Sequence, residues 1–86
     1  MILARTRRFQ RDYARLPPPL QERARKQLAL LLANPRHPSL RIKKVKGYEN
    51  LWEGRITQQY RVTFRIEGET VLLLRIGTHD LLRQPE

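Results

Sequence analysis

The sequence predicts an α+β domain of order β-α-α-β-β-β-β, a twisted, mainly antiparallel sheet with a helical hairpin packed on one face. Three observations predict it. Apolar residues recur at helical spacing up to Asn34, they alternate with period two from Ser39 onward, and the joints between the later segments suit only antiparallel neighbours. The chain has 86 residues. That suits a single domain spanning 1–86 and leaves no room for a second folded unit.

Each element follows from local chemistry. Met1-Ile2-Leu3-Ala4 reads as a short strand, and Thr6 stands as N-cap ahead of Phe9, Tyr13 and Leu16, whose spacings of four and three put them on one helical face. Pro17-Pro18-Pro19 stops that helix and, because proline suits a first helical turn, opens the next. Leu20, Ala24, Leu28, Leu31 and Leu32 mark the buried face of the second helix, which ends at Asn34-Pro35. Leu40, Ile42 and Val45, set among Arg41, Lys43, Lys44 and Lys46, then read as a short strand stopping at Gly47. Trp52, Gly54 and Ile56 alternate with Glu53, Arg55 and Thr57, and Tyr60, Val62, Phe64 and Ile66 alternate with Arg61, Thr63 and Arg65. Glu67-Gly68-Glu69 supplies a tight hairpin turn with glycine free to take positive φ. Val71 to Ile76 is the last strand, with Leu72, Leu74 and Ile76 expected as its buried set.

Charge narrows the function. Lys and Arg number 18 against 8 Asp and Glu, a formal charge of +10 that exceeds what solubility needs. It selects a polyanionic partner, nucleic acid first, then an anionic membrane surface or an acidic protein. The chain has no Cys, which excludes disulfides and thiolate metal sites, and neither a cofactor nor a metal is expected. Arg5, Arg7 and Arg8 interrupt the apolar start before a signal stretch of about 7–15 residues can form. Leu28 to Ala33 is far shorter than the roughly 20 residues that cross a bilayer. A soluble, cytoplasmic protein with no membrane partner is expected.

Strand parity sorts the cations. If Tyr60, Val62, Phe64 and Ile66 face the helices, Arg61 and Arg65 point to the opposite, open face, where Arg55 and Arg75 join them. Guanidinium groups gathered on one face make a phosphate-binding surface, and they repel unless an anion or a carboxylate such as Glu53 lies among them. Arg8, Arg11 and Arg15 share one face of the first helix, and Arg23 and Lys26 one face of the second, forming another basic surface. Trp52 shares parity with Ile56 and reads as sheet core, while His37, between Pro35 and Pro38, reads as a solvated loop residue.

The last third carries an ordered set: Leu51-Trp52-Glu53-Gly54-Arg55-Ile56, then Tyr60-Arg61-Val62-Thr63-Phe64, then Leu72-Leu73-Leu74-Arg75-Ile76-Gly77-Thr78-His79-Asp80. In this order it resembles toxins of the RelE/ParE superfamily of type II toxin–antitoxin systems, closest to the RelE-like, YafQ-like and YoeB-like messenger-RNA interferases. Phe9 and Tyr13 with Leu16-Pro17 resemble that family's first helix, Asn34-Pro35 its exit from the second, and Lys44-Val45-Lys46-Gly47 its approach to the sheet. The resemblance therefore covers nearly the whole chain. It implies the same fold and a metal-independent endoribonuclease that cleaves messenger RNA on the ribosome, by attack of a ribose 2′-OH on the adjacent phosphate, and so inhibits translation. That chemistry needs a base, cationic support for a crowded phosphorane and an acid for the departing oxygen.

Roles carry over residue by residue. Arg61 matches the family's arginine after an aromatic residue and is expected to hold the scissile phosphate. His79 matches the histidine of the Gly-Thr-His motif and is the expected general acid or base. Arg55 matches an arginine of the YoeB-like branch, a second phosphate contact. Lys44, Lys46, Arg65 and Arg75 are expected to contact RNA from the sheet, and Arg8, Arg11, Arg15, Arg23 and Lys26 to grip ribosomal RNA or be covered by an antitoxin. Three departures stand beside these matches. The carboxylate that YoeB-like members use upstream of the tryptophan has no clear counterpart, that neighbourhood holding Ile42, Lys43 and Lys44; Trp52 and Gly54 replace the paired lysines of RelE, and Asp80-Leu81-Leu82-Arg83 offers no aromatic residue after His79. The base stays open among Lys44, Lys46, Glu49 and Glu53. Implied partners are a cognate antitoxin presenting an acidic or amphipathic segment, the ribosome and messenger RNA. Two other functions remain open: a ParE-like inhibitor of DNA gyrase without ribonuclease activity, against which His79 argues, and an inactive basic module that binds nucleic acid or antitoxin.

Overall fold

The computed structural model describes all 86 residues. Strands β1 (Ile2–Arg5), β2 (Lys43–Lys44), β3 (Trp52–Arg55), β4 (Tyr60–Glu67) and β5 (Thr70–Thr78) form one sheet, and helices α1 (Arg7–Ala14) and α2 (Pro18–Ala33) lie between β1 and β2 in the chain. The sheet order is β1-β5-β4-β3-β2, antiparallel throughout except that β1 runs parallel to β5. The predicted fold class and element order hold.

The local signals act as the sequence suggests. Thr6 Oγ1 accepts the Phe9 N–H at 3.0 Å and donates to the Leu74 carbonyl at 3.1 Å, so the cap of α1 also pins that helix to β5. Pro18 opens α2, with Pro17 as its N-cap. Gly68 takes φ 60° in the β4–β5 turn. Phe9, Leu16, Ala24, Leu28 and Leu31 of the helical layer then bury against Ile56, Val62, Phe64, Val71, Leu73 and Ile76 of the sheet. Trp52 packs at the margin of this core, as its parity predicts; its Nε1 donates to Asn50 Oδ1 at 3.3 Å.

Three expectations are corrected. The strand expected over Leu40, Ile42 and Val45 shrinks to β2, because Pro38–Leu40 closes a 3-10 turn and Arg41 follows it in the left-handed region at φ 44°. Val45 instead donates its N–H to the Leu51 carbonyl at 2.8 Å and lies beneath the opposite face of the sheet. In β5 the buried set on the helical side is Val71, Leu73 and Ile76, not Leu72, Leu74 and Ile76. The β4–β5 register passes from Thr63 opposite Arg75 to Phe64 opposite Leu73, leaving Leu74 as an extra residue that inverts the alternation. Ile66, expected to face the helices, is 39% exposed at the end of β4.

The face opposite the helices is not open. After the 3-10 turn at His79–Arg83 the last residues run back over it. Val45, Leu51 and Leu74 form a small second core there, with Leu72 and Leu82 packed against it. Fully buried Thr63 donates its hydroxyl to the Pro85 carbonyl at 2.6 Å. Arg65 meets the Glu86 carboxylate, Arg8 donates to the Glu86 carbonyl at 2.6 Å and to Gln84 Oε1 at 3.1 Å, and Arg75 Nη1 donates to the Gln84 carbonyl at 3.2 Å. The Thr63→Val substitution keeps the shape but removes the buried donor. It should cost about 1–2 kcal/mol in denaturant unfolding and raise amide exchange at Gln84 and Glu86. Unchanged exchange at those two amides would show that the hydroxyl does not hold the segment.

Candidate functional site

The β3–β4 pairing builds the site. Arg55 lies opposite Arg61, Glu53 opposite Thr63, and Lys43 of β2 opposite Glu53, all on the face away from the helices. Gly77 of β5 lies opposite Arg61, so His79, two residues on, arrives at the same end of the sheet. Arg41, Lys43, Glu53, Arg55, Arg61 and His79 line one cleft with no apolar residue in its wall. Four fixed cations there face a single carboxylate.

Each side chain is held differently. Arg61 donates through Nη1 to the carbonyls of Thr57, Gln58 and Tyr60 at 2.8, 2.9 and 3.1 Å, which fixes the β3–β4 turn beneath it. Its Nε lies 3.8 Å from Glu53 Oε1, and Glu53 is only 6% exposed. Arg55 has its carbonyl tied to Gln27 Nε2 at 3.0 Å, yet its buried Nε has no hydrogen-bond partner. Burial first, and the neighbouring charges of Arg41 and Arg61 second, push its pKa below the usual guanidinium value. A buried donor among like charges is a place for an anion. His79 is exposed at the start of its 3-10 turn, and its ring makes no hydrogen bond, so the His79–Asp80 pairing that such a dipeptide suggests is absent and the imidazole is free.

Among the residues expected to act, the structure brings Arg55, Arg61 and His79 together and disperses the others. Lys44 alternates to the helical side, with its Nζ 5.7 Å from the Trp52 ring, and its neighbour Lys43 takes the place in the cleft. Lys46 is exposed outside the cleft. Arg75 is bound by the Asp12 carboxylate, Nε to Oδ2 and Nη2 to Oδ1 both at 3.0 Å, and that hydrogen bonding raises its pKa. Arg65 and Arg8 are held by the C-terminal residues, whereas Arg11, Arg15, Arg23 and Lys26 are exposed on the helices. Sequence reasoning kept Glu53 among several bases and gave Arg41 and Lys43 no role. Glu53 was available from parity, standing two residues before Arg55; Arg41 was not, because a 3-10 turn carries no alternation.

Comparison with known proteins bears on the fold and the family. Residues 3–81 match the family model described as ParE toxin of type II toxin-antitoxin system, parDE. Among solved structures, YafQ from E. coli strain BL21(DE3) superposes with a TM-score of 0.78 at 12% identity, covering 93% of this chain and 94% of that chain. The YoeB/ParE toxin from Agrobacterium tumefaciens gives 0.78 at 21% identity over 92% and 99%. The RelB-RelE antitoxin-toxin complex from Methanococcus jannaschii gives 0.75 at 21% identity over 93% and 94%. These likenesses establish the fold. No curated protein sequence matches the chain.

Proposed function

The chain belongs to the ParE toxin family of type II toxin–antitoxin systems, and from that premise we propose that it is an endoribonuclease that cleaves messenger RNA on the ribosome and is silenced by a cognate antitoxin. The observation that carries this reading is the junction of a free imidazole, a buried carboxylate and desolvated guanidinium groups in one wholly polar cleft. In the proposed reaction a base removes the proton of a ribose 2′-OH, the O2′–P bond forms and the P–O5′ bond breaks. The products are a 2′,3′-cyclic phosphate and a 5′-hydroxyl. Arg55 and Arg61 take the phosphate oxygens as negative charge grows on them, Arg55 through the donor that has no protein partner. Glu53 and His79 divide the proton transfers: the carboxylate, 3.8 Å from Arg61, receives the 2′-OH proton, and the exposed imidazole protonates the departing O5′. Lys43 and Arg41 add positive potential, and Arg11, Arg15 and Lys26 on the helices are free to meet ribosomal phosphates or an acidic antitoxin segment.

The test is a map of message 5′ ends after induction. Wild-type chain should give discrete cuts at codons, and His79→Ala and Arg61→Ala should give none while accumulating to the same level. Undiminished cutting in both variants sinks the assignment. A second reading is favoured by the family model, whose name is that of ParE: inhibition of DNA gyrase. Growth arrest with intact messages, and blocked supercoiling by purified gyrase, would select it.

A further inference from the structure

We propose that a second phosphate-binding subsite lies between α2 and the Pro38–Leu40 turn, beside the His79 cleft, and holds the phosphate of the nucleotide next to the scissile one. The proposal rests on the ribonuclease reading for its ligand, and on the groove itself for its chemistry. Arg23 and Gln27 of α2, Ser39 of the turn and Arg41 just after it, and Arg55 at the end of β3 with Thr57 beyond it line that groove. Arg41 and Arg55 line the His79 cleft as well, so the two hollows share a wall of guanidinium groups.

The chemistry of the lining is one-sided. Three guanidinium groups stand with two hydroxyls and carboxamides, and no carboxylate is present to balance them. Elsewhere in the chain each half-buried arginine has an acceptor: Arg8 the Glu86 carbonyl, Arg61 the turn carbonyls, Arg65 the Glu86 carboxylate, Arg75 Asp12. Arg55 alone keeps a buried nitrogen with none. An unbalanced cationic groove continuous with a second one is what two successive phosphates of one RNA strand require, because each planar fork can meet two oxygens of a different phosphate.

The groove is also braced from below. Gln27 Nε2 holds the Arg55 carbonyl at 3.0 Å, Arg41 N–H donates to the Pro38 carbonyl at 3.2 Å, and His37 Nδ1 accepts from Ser39 N–H at 3.2 Å. Arg41 sits at φ 44°, ψ 48°, a left-handed conformation that a non-glycine residue rarely adopts. It is the residue common to both hollows on the turn side.

The experiment is an amide NMR titration of the full chain with inorganic phosphate, followed by affinity measurements with a dinucleotide and a trinucleotide blocked against cleavage by 2′-deoxy substitution. Phosphate should move the amides of Ser39, Arg41 and Thr57 as well as those of Thr78 and His79. Arg23→Gln, at an exposed position, should silence the first group and spare the second. The trinucleotide, with its added phosphate, should bind about tenfold more tightly than the dinucleotide to wild type and equally to Arg23→Gln. Shifts confined to Thr78 and His79, a groove response that survives Arg23→Gln, or equal shifts with acetate would each overturn the subsite; the last would reassign the groove to a partner's carboxylate. Failure of the ribonuclease reading is seen separately, as growth arrest with intact messages on induction of the wild-type chain, and leaves the groove titration intact.

Discussion

His79→Ala should lower the proposed single-turnover cleavage of ribosome-bound message by roughly 10²–10⁴-fold, the usual contribution of one positioned proton donor. Stability should hardly change. The imidazole is exposed and makes no hydrogen bond, and surface substitutions of that kind stay within about 0.5 kcal/mol. That separation makes His79 the cleanest probe of the site. Arg61→Ala would also abolish cutting, but it releases three carbonyls of the β3–β4 turn, so its loss of rate mixes chemistry with geometry. Glu53→Gln resolves the other half of the proton transfer: it keeps the packing of a nearly buried side chain and removes its basicity. If Glu53 takes the 2′-OH proton, that variant should fall as far as His79→Ala; if it only steadies Arg61, most of the rate should survive. A His79→Ala chain that cuts at the wild-type rate would remove the imidazole from the mechanism.

Asp12→Ala should produce the largest loss of stability among single polar substitutions. Its carboxylate accepts from Arg75 Nε and Nη2, both at 3.0 Å, and from the Ile76 N–H at 3.2 Å, with only 10% of the Asp12 side chain and 19% of the Arg75 side chain exposed. Removing the acid leaves a guanidinium and a backbone donor in a nearly dry joint between α1 and β5, which should cost about 3–5 kcal/mol. In a domain this small that corresponds to a fall in Tm of at least about 12 °C. The mechanism predicts a rescue. Adding Arg75→Met to Asp12→Ala replaces the stranded charge by an apolar side chain and should restore part of the loss, since what destabilises is the unpaired ion rather than the missing bond. A Tm within a few degrees of wild type for Asp12→Ala would mean that water already reaches the pair.

What could be read in advance was whatever depends on near neighbours in the chain. Thr6 as a cap, Pro17 to Pro19 as a joint, Gly68 as a hairpin turn and the shared face of Arg55 and Arg61 all follow from spacing, and all are found. The same parity failed on β5, because one extra residue at Leu74 inverts every side chain on one side of it and a bulge leaves no mark in an alternating run of leucines. It placed Arg65 and Arg75 on the face where they lie but carried no sign that Glu86 and Asp12, partners 21 and 63 residues away, take them. The family's upstream carboxylate has no counterpart in the sequence, yet Glu53 puts one in the cleft, because cross-strand pairing sets it between Lys43 and Thr63.

The parallel pairing of β1 with β5 bears on the order in which the chain can fold. Ile2 through Arg5 find their partners only at Thr70 through Leu73, and the Thr6 hydroxyl finds the Leu74 carbonyl 68 positions later. Contacts of such long sequence separation form late, after the intervening loop has closed. During synthesis the first strand and both helices therefore leave the ribosome with one apolar face uncovered, waiting for the C-terminal hairpin, and the cleft cannot assemble before residue 79 has emerged. In a chain of this topology the cleft gains its last wall only when β5 has closed the sheet, so a partly made chain holds Arg41, Lys43, Glu53, Arg55 and Arg61 without His79 beside them.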